Sequence, residues 1–139
     1  MPVEPQAFAH IRLTVTDIER SRAFYDAVLG LPVAYELPAD ADEADRDQLS
    51  FLFGGVIYQL GDGLFGLRPV GSGAFDEDRT GLDHLSFAVA DVAALERAVS
   101  VLDEQDVRHE EMKDVGAGWI LEFRDPDNIA LELFAPKAQ

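Results

Sequence analysis

The sequence predicts an α+β protein built from two copies of one βαβββ module. Three observations carry that prediction. The phrase "AHIRLTVTDIERSRAFY" from Ala9 returns as "DHLSFAVADVAALERAV" from Asp83, with His84 and Asp91 each 74 residues beyond His10 and Asp17. Ile11, Leu13 and Val15 match Leu85, Phe87 and Val89 in the same register. The period is about half the chain, too long for a solenoid repeat. Both phrases pass from two-residue alternation through an aspartate into a helical run, which is strand, N-cap and helix.

Taken in order, Phe8 to Thr16 alternates, with Ile11, Leu13 and Val15 on one face and His10, Arg12 and Thr14 on the other. That is a half-buried strand. Asp17 caps the helix that follows, Gly30 ends it, and Pro32 lies just beyond. "LPVAYEL" reads as a second strand. The acidic stretch "ADADEADRD", Ala39 to Asp47, reads as a solvated loop, and its acids lack the spacing of a calcium loop. "QLSFLF", "VIYQL" and "LFGLRPV" are strand-like runs, punctuated by Gly54-Gly55 and by Gly61 and Gly63.

"GSGAFDEDRTG", Gly71 to Gly81, is polar and glycine-bearing, as a linker would be. The expected organisation is a first module over residues 1–70, a linker over 71–82 and a second module over 83–139. In the second module the expected strands are His84 to Ala90, Val107 to Met112, Trp119 to Arg124 and Ile129 to Phe134, with a helix over Asp91 to Leu102. "DPDN" makes the last turn, with Asn128 in the left-handed conformation such a turn needs.

Composition excludes several function classes. The 139 residues contain no cysteine, so disulfides, thiolate metal sites and a cysteine nucleophile are ruled out. Acids outnumber bases 27 to 11, a formal charge of −16, which repels nucleic acid and anionic membranes alike. No stretch approaches the roughly 18 apolar residues of a membrane span. "MPVEPQAF" has no basic region followed by an apolar run, so a cytoplasmic location is expected.

The chemistry lies on the polar faces. His10 and His84 stand opposite the aliphatic residues of their strands. Glu132 lies between Ala130 and Phe134, opposite Ile129, Leu131 and Leu133. A carboxylate there is costly to bury without a partner, and a metal is one such partner. Taken singly, a strand histidine can equally be a hydrogen-bonded core or surface group, and a strand glutamate can face solvent. The duplication strengthens the metal reading, because matched strands of a pseudo-symmetric pair would bring their histidines face to face. Two histidines and a carboxylate form the facial triad of non-haem iron enzymes and also suit zinc or manganese.

"HIRLTVTDIERSRAFYDAVLGLPV", "LDHLSFAVADVAALERAV" and "LEFRDPDNIALELFAP" together resemble the vicinal oxygen chelate superfamily, the glyoxalase, bleomycin resistance and extradiol dioxygenase group. The resemblance implies two modules curled into a cupped mixed sheet around one divalent metal per site, with iron, manganese, zinc and nickel all acceptable. It puts His10, His84 and Glu132 on three ligand positions. The fourth falls in "LFGLRPV", where Gly66 aligns with Glu132; a shift of two brings Arg68 instead, and neither is a ligand. Three protein ligands leave open positions, as in the dioxygenases and fosfomycin-resistance enzymes rather than glyoxalase I.

The resemblance thus implies a metal-dependent enzyme, a dioxygenase or a lyase/isomerase, acting on a small oxygenated metabolite. The alternative is a metal-free protein that sequesters an antibiotic or other ligand, as bleomycin-binding members do. Tyr58 and Glu122 are the candidate catalytic acid or base, with His109 behind them. Arg12 and Arg68 are candidates to hold an anionic substrate or equally to be surface charges, and Trp119 to wall the cavity or the core. The expected assembly is a homodimer whose sites either lie within one chain or take His10 from one chain and His84 with Glu132 from the other, with the shared arrangement preferred.

Overall fold

The computed structural model describes residues 1–138. The chain divides into two compact units, Met1–Ser72 and the residues from Gly73 onward. Each carries one four-stranded mixed sheet and is α+β, as expected.

The first unit runs β1 (His10–Thr14), α1 (Ile18–Val28), β2 (Val33–Glu36), α2 (Glu43–Gln48), a 3₁₀ turn (Ser50–Leu52), β3 (Val56–Leu60) and β4 (Gly63–Arg68). Its sheet order is β1-β4-β3-β2, with β1 and β4 parallel and the other pairs antiparallel. Asp17 caps α1 through the Arg20 amide, as the sequence indicates. Leu13, Val15, Val56, Tyr58, Phe65 and Leu67 bury one face of the sheet, and Tyr25 of α1 meets the Phe65 ring edge-on at 5.3 Å. A fully buried side chain of this size contributes about 1.5–3 kcal/mol.

The second unit runs β5 (Leu85–Ala88), α3 (Val92–Glu104), β6 (Lys113–Asp114), β7 (Gly118–Arg124) and β8 (Ala130–Pro136). Its order, β5-β8-β7-β6, again pairs first and last strands in parallel. Asp91 caps α3 through the Ala94 amide. α3 packs on β7 and β8, and Leu95, Leu102, Leu121, Leu131 and Leu133 are all buried. Asn128 adopts φ 67°, the left-handed turn residue its sequence predicts.

Three elements differ from expectation. The acidic stretch is not simply a loop, because it holds α2. Asp42 accepts from the Asp45 amide at 2.8 Å while Asp45 accepts from the Asp42 amide at 3.3 Å, a capping box built from two aspartates. "QLSFLF" is no strand: it ends α2 and forms the 3₁₀ turn, and of its apolar residues only Leu52 is buried. In Val107 to Met112 only His109 bridges, to Phe123, and the ladder proper starts at Lys113.

Within Gly71 to Gly81, the stretch around Phe75 is anchored to the β7–β8 turn. The Phe75 amide donates to the Asp127 carbonyl at 2.9 Å, Asn128 Nδ2 donates to the Phe75 carbonyl, and Arg124 grips Glu77 with two hydrogen bonds.

Gly55 sits where β3 starts, and a Cβ there would stand 1.9 Å from the Leu67 carbonyl oxygen, backbone that cannot step aside. Gly55→Ala is expected to lower the unfolding free energy by about 2 kcal/mol or more, read from urea denaturation.

Candidate functional site

Strand periodicity and register together build the site. In the parallel β5–β8 pair Ser86 stands opposite Glu132, and in the antiparallel β7–β8 pair Glu122 does. Opposed residues share a face, so Ser86, Glu132 and Glu122 lie on one side, with Leu85, Phe87, Leu131 and Leu133 buried on the other. His84, one residue before β5, joins the polar side.

The side chains converge. Ser86 Oγ donates to Glu132 Oε1 at 2.7 Å, and His84 Nε2 lies 3.7 Å from Glu132 Oε2. His84 Nδ1 is 2.6 Å from Asp83 Oδ1. A carboxylate only accepts, so Nδ1 carries the proton and the lone pair of neutral His84 sits on Nε2, the nitrogen nearer Glu132. The hydrogen bond to Asp83 raises the His84 pKa above its ordinary value, partial burial opposes it, and the charges of Glu132, Asp83 and Glu122 add to the rise.

This pair fits a divalent metal. Two donors each about 2.1 Å from one ion stand about 3.4 Å apart at the tetrahedral angle, close to the observed separation. Asp83 behind the imidazole and Ser86 behind the carboxylate are the outer partners that orient such ligands. Among the described residues no group of three or more histidine or acid side chains is gathered into a metal cluster. His10 opens β1 in the first unit, exposed and in register with Leu64.

In the first unit Gly66 stands opposite Arg12, as Glu132 stands opposite Ser86 in the second. A Cβ on Gly66 would lie 3.1 Å from Arg12 Cγ and 3.2 Å from Ile57 Cγ1, so the Arg12 stem crosses the place a side chain would take. Arg12 Nη2 donates to the Phe51 carbonyl, while its Nε is buried with no hydrogen-bond partner among the described residues. Burial, then the charge of Arg68, lowers the Arg12 pKa.

The other candidates separate. Glu122 is on the face of Glu132, with Oε1 accepting from Lys113 Nζ at 3.2 Å. Tyr58 is not on the histidine face. It lies opposite Phe65 on the core face, where its hydroxyl donates to Asp26 Oδ1 at 2.8 Å, and burial followed by that bond pushes its pKa well up. His109 contacts Asp103 at the end of α3 and the Glu110 carbonyl. Trp119 lies opposite Ala135, on the core side of the sheet, with Lys137 Nζ 5.8 Å from its ring. The sequence alone does not mark Asp83 and Ser86 as partners. An acid directly before the histidine was the available signal for the first, and only the register reveals the second.

The model of the Glyoxalase/Bleomycin resistance protein/Dioxygenase superfamily matches residues 7–133. The chain belongs to that superfamily. It is 30% identical over 128 residues to the YwkD protein of Bacillus subtilis (strain 168), covering 90% of this chain and 93% of that one. A glyoxylase/bleomycin resistance protein/dioxygenase domain from Frankia sp. EAN1pec superposes with TM-score 0.76 at 28% identity, covering 96% of this chain and all of that one. A glyoxalase/dioxygenase from Nostoc punctiforme gives TM-score 0.76 at 26% identity, with 99% and 98% covered. Members of the glyoxalase superfamily typically use a divalent metal and act on small molecules. Among the described residues no helix is long and apolar enough to cross a membrane.

In metal-free protein the His84 ring should titrate above the ordinary value of about 6.5 by NMR, and Asp83→Asn should bring it down. A raised native pKa stabilises the fold at acidic pH, and the contribution fades as pH rises through the His84 midpoint. The stability lost in Asp83→Asn is therefore expected to be larger at pH 5 than at pH 8 in urea titrations.

Proposed function

We propose that this chain is a divalent-metal-dependent enzyme acting on a small oxygenated metabolite, with His10, His84 and Glu132 as protein ligands. The observation that carries the reading is the approach of His84 Nε2 to Glu132 Oε2, each held from behind by Asp83 or Ser86. A metal bound there would act as a Lewis acid on a substrate held through adjacent oxygens. This chain's own residues do the rest. Asp83 fixes the imidazole tautomer, Ser86 occupies one carboxylate oxygen of Glu132, and Glu122, on the face of Glu132, takes or returns a proton. With Gly66 in place of a fourth ligand, positions stay open, which favours the dioxygenase-like site over the glyoxalase I-like one.

His84→Ala and Glu132→Ala are each expected to lower metal affinity by orders of magnitude with cooperative unfolding retained. Ser86→Ala should cost about 10- to 100-fold, and Gly66→Ala should leave affinity near the parent's. The measurement is metal titration of tag-free protein. Less than about a tenth of an equivalent, with no tight uptake, would favour the metal-free ligand-binding alternative.

The ligands divide between the units, His10 in the first and the other two in the second. We propose a homodimer in which each site takes His10 from one chain and His84 with Glu132 from its partner. Mixing His10→Ala with Glu132→Ala protein tests it: shared sites regain one metal per two chains after subunit exchange, whereas sites within one chain stay dead.

A further inference from the structure

The first unit presents two cations that its own acids do not satisfy. Of the four basic residues on the strands, Lys113 pairs with Glu122 and Arg124 with Glu77, whereas Arg12 and Arg68 have no carboxylate partner among the described residues. In a chain with 27 acids and 11 bases, that pattern is not what solvent-facing charge balance would leave. The two arginines share the face of His10, since Arg12 pairs with Gly66 and Thr14 with Arg68. Arg12 Nε is buried and has no hydrogen-bond partner among the described residues, so the cost of its desolvation stands.

The surroundings are aromatic. Arg68 lies over the Phe53 ring at 4.3 Å, and Phe53 is held in the left-handed region at φ 53°, a costly conformation for a bulky residue. Arg12, Gly66, Ile57 and Tyr35 form one rung across the sheet, and Tyr35 meets Phe51 edge-on at 6.4 Å. Tyr35, Phe51 and Phe53 are 48%, 43% and 54% exposed, large apolar rings clustered beside two unpaired guanidinium groups. Glycine at position 66 lets the Arg12 stem and Ile57 close over the middle of the rung.

We propose that Arg12 and Arg68 bind the oxyanion of a small organic acid, a carboxylate or phosphoryl group, whose apolar body lies against Tyr35, Phe51, Phe53 and Ile57. Guanidinium forks match both anions in geometry. His10 is two residues from Arg12 on the same face, about 7 Å along the strand. The acid group thus sits about one small-molecule length from the first histidine. This rests on the metal-enzyme reading only in making the bound anion part of a substrate; the binding itself requires no metal.

The test uses full-length protein stripped of metal by dialysis over chelating resin, titrated with benzoate, phenylphosphonate and neutral benzamide, and followed by amide NMR shifts. Saturable shifts at Arg12, Arg68 and the Phe51–Gly55 stretch are expected with the anions and not with benzamide. Arg12→Gln and Arg68→Gln should each weaken the better anion at least tenfold. The tighter of the two anions tells whether the acid is a carboxylate or a phosphoryl compound. Equal response to benzoate, phenylphosphonate and benzamide, or anion binding untouched in Arg68→Gln, overturns the proposal. Arg68→Gln keeps the question decidable if Arg12→Gln fails to fold, because Arg68 touches an exposed ring rather than the backbone. Metal affinity is read separately, so either reading can fail without the other.

Discussion

The structure depends on the parallel pairing of the first and last strands within each unit. Strands alternate faces with period two, so a slip of one residue between β5 and β8 would send Glu132 into the layer of Leu131 and Leu133 and bring leucines out beside His84. The register is fixed from the core side, where burying Leu85, Phe87, Leu131 and Leu133 outweighs any alternative pairing. The polar partners then follow as a by-product: Ser86 must face Glu132, and the hydroxyl satisfies one oxygen of a carboxylate that is only 14% exposed. The other oxygen is left towards His84.

How much of this was legible follows from which residues obey a period. The alternation in β1 and β5 and the capping aspartates Asp17 and Asp91 were plain, and with them the two repeated modules. His84 could be named because it repeats His10 at the head of the duplicated phrase, and Glu132 because it breaks an otherwise apolar strand. Tyr58 could not be placed, because Val56 and Ile57 put large apolar residues on both parities and only the ladder to Phe65 shows which side is the core. Asp83 lies outside the strand, where alternation says nothing. α2 escaped because its capping box uses Asp45 where glutamate or glutamine is the familiar signal. The 3₁₀ turn at Ser50–Leu52 escaped because a run of apolar residues fits strand and turn alike.

The two units use one geometry for opposite electrostatics. The rung that holds Ser86 and Glu132 in the second unit holds Arg12 and Gly66 in the first. Deleting a side chain at 66 did not leave a void, since the Arg12 stem and Ile57 close over it. Each ladder is formed within its own unit.

Gly66 also makes the first unit awkward to convert. Installing a carboxylate there to complete a four-ligand set would need more than one codon change, because even its Cβ would press on Arg12 Cγ. Replacing Arg12 by serine alone would open a gap above a bare glycine and strip the Phe51 carbonyl of its donor. The two positions are therefore epistatic: each single step is disfavoured and only the double exchange reproduces the second unit's rung. A chain that has arrived at arginine and glycine is held there by packing, whatever its chemistry.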